Sequence, residues 1–343
     1  MTSEEDKNLE TVLRLAQDYI SACPLIVLGS GASAAEGLPT MGQLKELFQT
    51  SEFTFENVSE NTEWDSFLVS LQTLDLESAL LNTNLSKNLI DQIITKTWNY
   101  ISHSDLTYFN KLIITPKPTA VSRLISHLSQ ASNPDLAIAT TNYDRLGEYS
   151  LDLAGLTYSD GFSGGYIKQG ISNRTFNSKR STDVDLIKVH GSLDWFQDPQ
   201  NVAYSFPLQN EIPNDYKPLI VTPGIQKFRG VLQEPFRSLL QRLDQAIIKK
   251  NHYMCIGYGF NDEHIHPKLI ERCRLGRAKL LILTRTITEN TLRLLEQGCC
   301  QEFLALEMGT NNSTKCYSHL FDDIVTIPNR SIWQLDELLK FCM

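Results

Sequence analysis

Short apolar runs alternate with amphipathic helical patterns along most of this sequence. Residues 25–28, 136–140, 252–257 and 280–284 form apolar runs of strand length, bounded by small or polar residues. Helical patterns lie between and after them, for example the stripe that begins after Pro235. Buried strands alternating with helices are typical of α/β folds, in which helices cover both faces of a parallel sheet. We therefore predict such a sheet as the core.

The alternation is interrupted by a region with several helical patterns and little strand signal. Helical periodicity is clear at residues 71–81 and 89–100. We therefore predict three parts of the chain: an α/β domain at 1–41 and 118–310, a helical insertion at 42–117, and a C-terminal extension at 311–343. Strands are also predicted at 186–190 and 218–222. The polar, glycine-rich stretches at 155–185 and 196–217 predict loops.

Composition restricts the classes of partner. The 343 residues carry a net charge of −9, which makes direct nucleic-acid binding unlikely, since such binders usually have a basic excess. Seven cysteines without a CxxC pair indicate a reducing compartment. An acidic amino terminus does not resemble a secretory signal, and no apolar run is long enough for a membrane span. We expect a cytoplasmic protein with no membrane association.

Small residues follow the first predicted strand as Gly29-Ser30-Gly31-Ala32-Ser33. Such a turn allows backbone N–H groups to approach a pyrophosphate that side chains would otherwise exclude. A second glycine turn follows the strand at 252–257 and contains Gly257, with Asp262 beyond it. Both segments would also suit simple strand–turn–helix junctions, with Asn261 or Asp262 as a helix cap.

Polar side chains follow two further strands. Asn142 and Asp144 come directly after the strand at 136–140, and His190 ends the strand at 186–190. Ligands of α/β proteins bind at the carboxyl ends of parallel strands. Asn142 would hold a ribose hydroxyl or a water, and His190 is a candidate proton acceptor. The alternatives are a helix cap at Asn142 or Asp144 and a packed histidine.

Taken in order, these motifs resemble the sirtuin-like family. Gly-Ser-Gly-Ala-Ser followed by Gly-Leu-Pro resembles that family's Gly-Ala-Gly-Ala-Ser and Gly-Ile-Pro, Thr-Asn-Tyr-Asp resembles Gln-Asn-x-Asp, and His-Gly is identical. The resemblance covers about residues 24–285 and is strongest to the bacterial members of antiphage defence. It implies a Rossmann-like α/β fold with a parallel sheet, helices on both faces and a helical insertion.

The resemblance also implies an activity, hydrolysis of NAD to nicotinamide and ADP-ribose in antiphage defence. Asn142 and His190 would be catalytic. The cofactor-binding set would be Gly29, Ser30, Gly31, Ala32, Ser33, Asp144, Gly257 and Asp262, with the Gly29–Ser33 loop on the pyrophosphate and Asp262 on the adenosine side. The alternatives are a non-catalytic subunit that binds NAD or ADP-ribose, and an NAD-dependent protein deacylase or ADP-ribosyltransferase.

Two departures count against the deacylase. Thr40-Met41-Gly42 replaces the family's Asp-Phe-Arg, and no cysteine occurs at 195–222, where deacylases carry a zinc module. We therefore expect no zinc. His264 and His266 would point apart on a helix, so we expect no metal there either.

Because NAD depletion is toxic, the resemblance also implies control of the activity. We expect no separate sensor domain in this chain. Control would come instead from a homo-oligomer, or from a HerA-like ATPase or another co-encoded protein.

Overall fold

The structure, a computed structural model, describes residues 4–131, 135–170, 184–221, 234–262, 266–296 and 300–343. Within these ranges the helices are α1 (Glu4–Ser21), α2 (Ser30–Ala34), α3 (Met41–Thr50), α4 (Val58–Thr73), α5 (Leu76–Asn82), α6 (Lys87–Ile114), α7 (Ala120–Ser129), α8 (Leu146–Leu153), α9 (Phe236–Lys249), α10 (His266–Arg274), α11 (Glu289–Glu296) and α12 (Leu335–Cys342). None of these helices is long and apolar enough to cross a membrane.

The strands form two sheets. They are β1 (Leu25–Leu28), β2 (Ala137–Thr140), β3 (Tyr158–Ser159), β4 (Phe162–Gly164), β5 (Lys168–Gly170), β6 (Val184–Lys188), β7 (Gly191–Gln197), β8 (Ala203–Ser205), β9 (Lys217–Ile220), β10 (His252–Ile256), β11 (Lys279–Thr284), β12 (Glu302–Met308), β13 (Thr314–Ser318) and β14 (Val325–Ile327). The central sheet has the order β14-β13-β12-β11-β10-β1-β2-β6-β3, and the second sheet has the order β4-β5-β8-β7-β9.

Strand register aligns the ends of four neighbouring strands in the central sheet. Leu28 of β1 pairs with Thr140 of β2 and with Ile256 of β10, and Thr140 pairs in turn with Lys188 of β6. All of these pairings are parallel. The segments that follow the four strands therefore leave the sheet at one edge, where the predicted site residues lie.

Alternating side chains of the central strands pack on opposite helical layers. Ile26 and Leu28 belong to the core with α1, α7 and α12, whereas Leu25 and Val27 belong to the core with α9, α10 and α11. This two-sided burial explains the continuous apolar run in β1, because neither face of the strand meets water. The predicted α/β fold with helices on both faces is confirmed.

Strands of both sheets correct the loops predicted at 155–185 and 196–217. These stretches contain β3, β4, β5 and β8, and parts of β6, β7 and β9, while residues 171–183 lie outside the described residues. The strands are short and rich in polar residues and glycine, so they lack the apolar runs that predicted the others. Two strand positions also shift: β6 ends at Lys188, two residues before His190, and β9 pairs antiparallel with β7 in the second sheet.

The helical insertion packs against this second sheet. A core of α3, α4, α5 and α6 side chains, including Trp64 and Trp98, contacts Leu193, Phe196 and Ile220 of β7 and β9. The indole N–H of Trp98 donates to the carbonyl of Leu193 at 2.9 Å. The helix predicted at 71–81 is divided in two, because Asp75 accepts from the N–H of Ser78 at 2.9 Å and starts α5.

The C-terminal residues extend the central sheet. β13 and β14 add to it in antiparallel orientation beyond β12, the last parallel strand at that edge. The final helix, α12, packs against α1, with Leu338 and Leu339 in the same core as Val12 and Ala16. The predicted extension at 311–343 is therefore built onto the sheet and the first helix.

Candidate functional site

A cleft lies at the carboxyl edge of β1, β2, β6 and β10. It is lined by residues from each of the four segments that follow these strands. The predicted residues in its wall are Gly29, Ser30, Asn142, Asp144, His190, Gly257 and Asp262. Gly31, Ala32 and Ser33, which complete the predicted set, lie in the short helix α2 directly after the wall residue Ser30. The segments that carry the sequence motifs therefore lie together in the folded protein.

The glycines in the first segment allow two loops to touch. A Cβ atom on Gly29 would lie 2.3 Å from the carbonyl oxygen of Gly257, and one on Gly257 would lie 2.4 Å from the N atom of Ala32. The N–H groups of Gly29 and Gly31 donate to the carbonyls of Ile256 (3.0 Å) and Gly257 (3.1 Å). These two donors are therefore occupied by the protein. Ser30 lies between these two glycines and lines the cleft.

Asn142 also holds the Gly29–Ser33 turn, through hydrogen bonds from its side chain. Its amide N–H₂ group donates to the carbonyl of Gly29 and to the hydroxyl of Ser33, both at 2.9 Å. The Ser33 hydroxyl is in turn a hydrogen-bond partner of the Asp144 carboxylate. With both amide protons used in this way, the side-chain oxygen of Asn142 is the group that can accept a hydrogen bond from a ribose hydroxyl or a water.

Asp144 lies at the deep end of this hydrogen-bonded chain. Its carboxylate accepts from the N–H of Leu146 at 3.1 Å, but the N-cap of α8 is Arg145 and carries no side-chain cap, so the helix-cap alternative for Asp144 is wrong. It also lines the cleft. Burial raises the pKa of the Asp144 carboxyl, while Lys188 and the hydrogen bond from Ser33 act in the opposite direction. Asp144 therefore serves the local structure and stands in the cleft wall as well.

His190 and Asp262 form a pair. Nε2 of His190 lies 2.9 Å from Oδ2 of Asp262, and both side chains are more than nine-tenths buried, with 8% and 6% exposed. Gly191 follows at φ +92°, where a Cβ atom would lie 2.1 Å from the carbonyl oxygen of Leu219. A carboxylate beside an imidazole orients the ring for proton transfer. The sequence predicted Asp262 on the adenosine side, whereas the structure places it against the candidate base.

Buried charged residues next to the cleft segments were not predicted from the sequence. Lys188, at the end of β6, is fully buried and donates to the carbonyl of Asp144 at 2.5 Å and to the carboxylate of Glu148 at 2.8 Å. Burial raises the pKa of Glu148 to about 7, against the opposing effect of Lys188. The available signal was a lysine within an apolar strand, which requires a partner.

A second buried network joins the insertion to the α/β domain. The side chain of Arg145 pairs with Asp105 of α6 at 2.7 Å and with Asp194 of β7 at 2.6 Å. The Tyr149 hydroxyl donates to the same Asp105 carboxylate at 2.6 Å. Since Arg145 directly follows Asp144, this network holds the insertion against the cleft.

Helices α3, α5 and α6 supply part of the cleft wall. Met41 and Leu44 of α3, Glu77 of α5 and Ile101 of α6 line the cleft, together with Tyr258 from the segment after β10. No sequence motif distinguishes these residues from ordinary core or helix-surface positions. Within the described ranges, no group of three or more His, Cys, Asp or Glu side chains is arranged to hold a metal ion. His264, considered above as part of a metal pair, lies outside those ranges.

Comparison with known proteins identifies the domain. A family model described as the SIR2-like domain matches residues 136–297, the stretch that contains Asn142, Asp144, His190, Gly257 and Asp262. The resemblance to the sirtuin-like family is therefore confirmed over these residues. This domain implies an NAD-dependent activity of the sirtuin type. No curated protein matches the chain.

Several solved structures are similar to this chain at low sequence identity. One, from work on the mechanism and regulation of Sir2 enzymes, is 13% identical, covers 97% of this chain and 98% of its own, and has a TM-score of 0.48. A mutant Sir2 homologue in complex with ADP-ribose is 13% identical, covers 95% of each chain, and has a TM-score of 0.47. A Sir2 homologue in complex with NAD is 13% identical, covers 82% of this chain and 84% of its own, and has a TM-score of 0.42.

Proposed function

We propose that this protein hydrolyses NAD to nicotinamide and ADP-ribose. The observation that carries the proposal is the pair of His190 and Asp262 in the wall of a cleft that Asn142 also lines, within the residues that match the SIR2-like domain. Binding of a dinucleotide alone needs no base, whereas hydrolysis needs a group that accepts a proton from water. An imidazole held 2.9 Å from a buried carboxylate suits that task.

The reaction proceeds by departure of nicotinamide and attack of water. The bond between the nicotinamide nitrogen and the ribose C1′ breaks, the electron pair leaves with the nitrogen, and positive charge develops on the ribose. A water oxygen then bonds to C1′ as its proton passes to His190. The side-chain oxygen of Asn142 positions the water or a ribose hydroxyl, since its N–H₂ group holds Gly29 and Ser33.

The pyrophosphate lies on the glycine turns in this proposal. Ser30 supplies the nearest donors, and the close contact of Gly29 with Gly257 keeps side chains out of the floor of the cleft. Asp144 is hydrogen-bonded to Ser33 and so orients it, and Ser33 in turn orients Asn142. Asp144 therefore does not need to contact the substrate. In this proposal Asp262 likewise acts through His190, against which it lies.

The test is nicotinamide release from NAD by the full chain, with and without an acylated peptide. Asn142→Ala and His190→Ala should each lower release by about 100-fold or more, the scale of general-base catalysis. Asn99→Ala and His103→Ala are matched controls on the exposed face of α6 and should leave the rate unchanged.

The other outcomes separate the alternatives. Release that requires the acylated peptide would favour a deacylase over a hydrolase. NAD binding without any release, alone or with a co-encoded partner, would favour a regulatory subunit.

We further propose that the hydrolysis serves antiphage defence by NAD depletion, under control of self-assembly or of a co-encoded protein such as a HerA-like ATPase. The motif resemblance supports this role. The test compares NAD concentrations during phage infection in cells expressing the wild type or His190→Ala, with the neighbouring gene present or deleted. Wild-type monomer that shows full activity without any neighbour would contradict the proposed control.

A further inference from the structure

Two buried cysteines lie side by side in the core that joins the central sheet to α9, α10 and α11. Cys273 is near the carboxyl end of α10, and Cys300 lies two residues before the start of β12. Both are free thiols, and the two residues are 0% and 2% exposed. A side-chain hydrogen bond joins the two thiols. Two separate elements of the fold therefore bring two sulfur atoms into contact.

The turn that follows α10 fixes this contact through the backbone. The N–H of Gly276 donates to the carbonyl of Cys273 at 2.9 Å, and a Cβ atom on Gly276 would lie 3.1 Å from Oε1 of Gln301. Sγ of Cys300 lies 3.7 Å from the carbonyl oxygen of Ala278. Cys300 and its neighbour Gln301 thus both pack against the turn that begins at Cys273, so the backbone keeps the two sulfur atoms close.

The surroundings of Cys300 favour its thiolate. Hydrogen bonds from the Cys273 thiol and from the backbone at Glu302 and Leu280 lower the pKa of the Cys300 thiol, although burial acts in the opposite direction. By contrast, burial raises the pKa of Cys316, on β13, to about 12. The thiolate is the form of cysteine that attacks an oxidant. Cys300 is therefore suited to react first, and Cys273 is placed to react with the product.

The pair lies just beneath the protein surface. Leu275, two residues after Cys273, is 56% exposed, and Gln301, next to Cys300, is also exposed. Local openings at the ends of helices and strands require less free energy than unfolding of the whole protein. A small uncharged oxidant therefore has a short path to the two thiols.

We propose that Cys273 and Cys300 form a modification site, at which a peroxide joins the two thiols in a reversible disulfide bond. Neither cysteine lines the cleft, so the site is separate from the proposed hydrolysis. In a reducing compartment the disulfide forms only while the oxidant is present, because thiols such as glutathione reduce it again.

The reaction takes two steps. The Cys300 thiolate attacks one oxygen of hydrogen peroxide, the O–O bond breaks, and the products are a sulfenic acid and a hydroxide that takes up the thiol's proton as water. The Cys273 sulfur then attacks the sulfenic sulfur, the S–O bond breaks, and the hydroxyl leaves as water with the Cys273 proton. The two sulfur atoms are oxidised, and the peroxide is reduced to water.

The experiment counts the thiols of the full chain before and after treatment with hydrogen peroxide. After the peroxide has been removed with catalase, the protein is denatured, alkylated with N-ethylmaleimide and analysed by intact mass spectrometry. Wild type should lose two alkylated thiols, regain both after dithiothreitol, and yield a crosslinked peptide pair that contains Cys273 and Cys300. Cys273→Ala should form no crosslink, and dimedone should instead trap a sulfenic acid at Cys300. Cys300→Ala should show neither product.

Two further variants are controls for the assignment. Cys299 is adjacent to Cys300 in the sequence, so Cys299→Ala tests which of the two forms the crosslink, and it should still lose two thiols. Cys316→Ala removes a buried thiol on β13 and should form the same crosslink as wild type. Wild type that keeps all its thiols, or a crosslink that disappears in Cys299→Ala, would overturn the proposed site.

Thermal unfolding followed by circular dichroism gives a second readout. The crosslink closes the loop of residues 273–300, which lowers the entropy of the unfolded chain, so oxidised wild type should melt about 5 °C above its reduced form. Peroxide should leave the melting temperature of Cys273→Ala unchanged, and the same holds for the polar replacement Cys273→Ser. An equal rise in these variants would contradict the proposed crosslink.

Discussion

Replacing Asp105 by asparagine should destabilise the whole protein, because this residue joins the insertion to the α/β domain. The Asp105 carboxylate is fully buried and accepts from the backbone N–H of Arg145 at 2.9 Å, its Nε at 2.8 Å and the Tyr149 hydroxyl at 2.6 Å. Asparagine has the same shape but no charge, and its N–H₂ group would face one of these donors. Arg145 would then keep only Asp194, which is 21% exposed, as its anionic partner.

The size of the effect follows from the buried ion pair. Removing one partner of such a pair costs about 3–5 kcal/mol, since the other charge stays buried without full compensation. An unfolding entropy of roughly 2.1 cal/mol/K per residue over the 343 residues gives about 0.7 kcal/mol/K. The melting temperature should therefore fall by about 4–7 °C.

Thermal unfolding followed by circular dichroism measures this shift. The matched control is Asp91→Asn on the same helix α6, where the carboxylate pairs with Lys217 at 3.1 Å and both side chains are well exposed. Exposed pairs contribute about 0–1 kcal/mol, so the control should melt within about 1.5 °C of the wild type. If Asp105→Asn melts no lower than Asp91→Asn, the buried network does not anchor the insertion.

Three further predictions concern the cleft and its support. Gly257→Ala should lower the free energy of unfolding by about 1–3 kcal/mol more than Gly155→Ala does. Both glycines have positive φ, but of the two only Gly257 has backbone atoms where a Cβ atom would lie. Urea unfolding measures the difference, and equal values would refute this prediction. Asp262→Asn should lower nicotinamide release about 100-fold, while the affinity for ADP-ribose changes by no more than a few-fold. Unchanged release would exclude a role for the His190–Asp262 pair in hydrolysis. Burial raises the Glu148 pKa from 4.5 to about 7, so between these pH values the folded state holds a proton that the unfolded state has lost. The free energy of unfolding should therefore fall as the pH rises from 4.5 to 7. Glu148→Gln should remove that fall, as measured by urea titrations at several pH values.

The central strands and the general position of the site were predictable from the sequence. The strands at 25–28 and 280–284 are buried on both faces, so their sequences are apolar runs. Such runs can be identified from the local sequence alone. The carboxyl ends of parallel strands share one edge of a sheet, which is why Asn142 and His190 could be placed together before their distances were known. The order of the motifs was enough to indicate the SIR2-like domain.

The second sheet was not predictable in the same way. β4, β5 and β8 are three-residue strands, and their polar and glycine residues are those of a loop. Their stability comes from pairing across the sheet and from packing such as the contact of Phe162 with Trp195 at 4.7 Å between ring centroids. Pairing partners far apart in the chain leave no periodic signal in either segment.

The sequence by itself determined the type of fold and the four segments that meet at the cleft, because both depend on local patterns of apolar, small and polar residues. Only the tertiary structure decided that Asp262 lies against His190, that Asn142 uses its amide protons to hold the glycine turn, and that the insertion brings Glu77 into the cleft wall. These relations join segments distant in the chain. They depend on how loops and helices pack over the sheet edge, and side-chain packing in three dimensions is not encoded in any one segment.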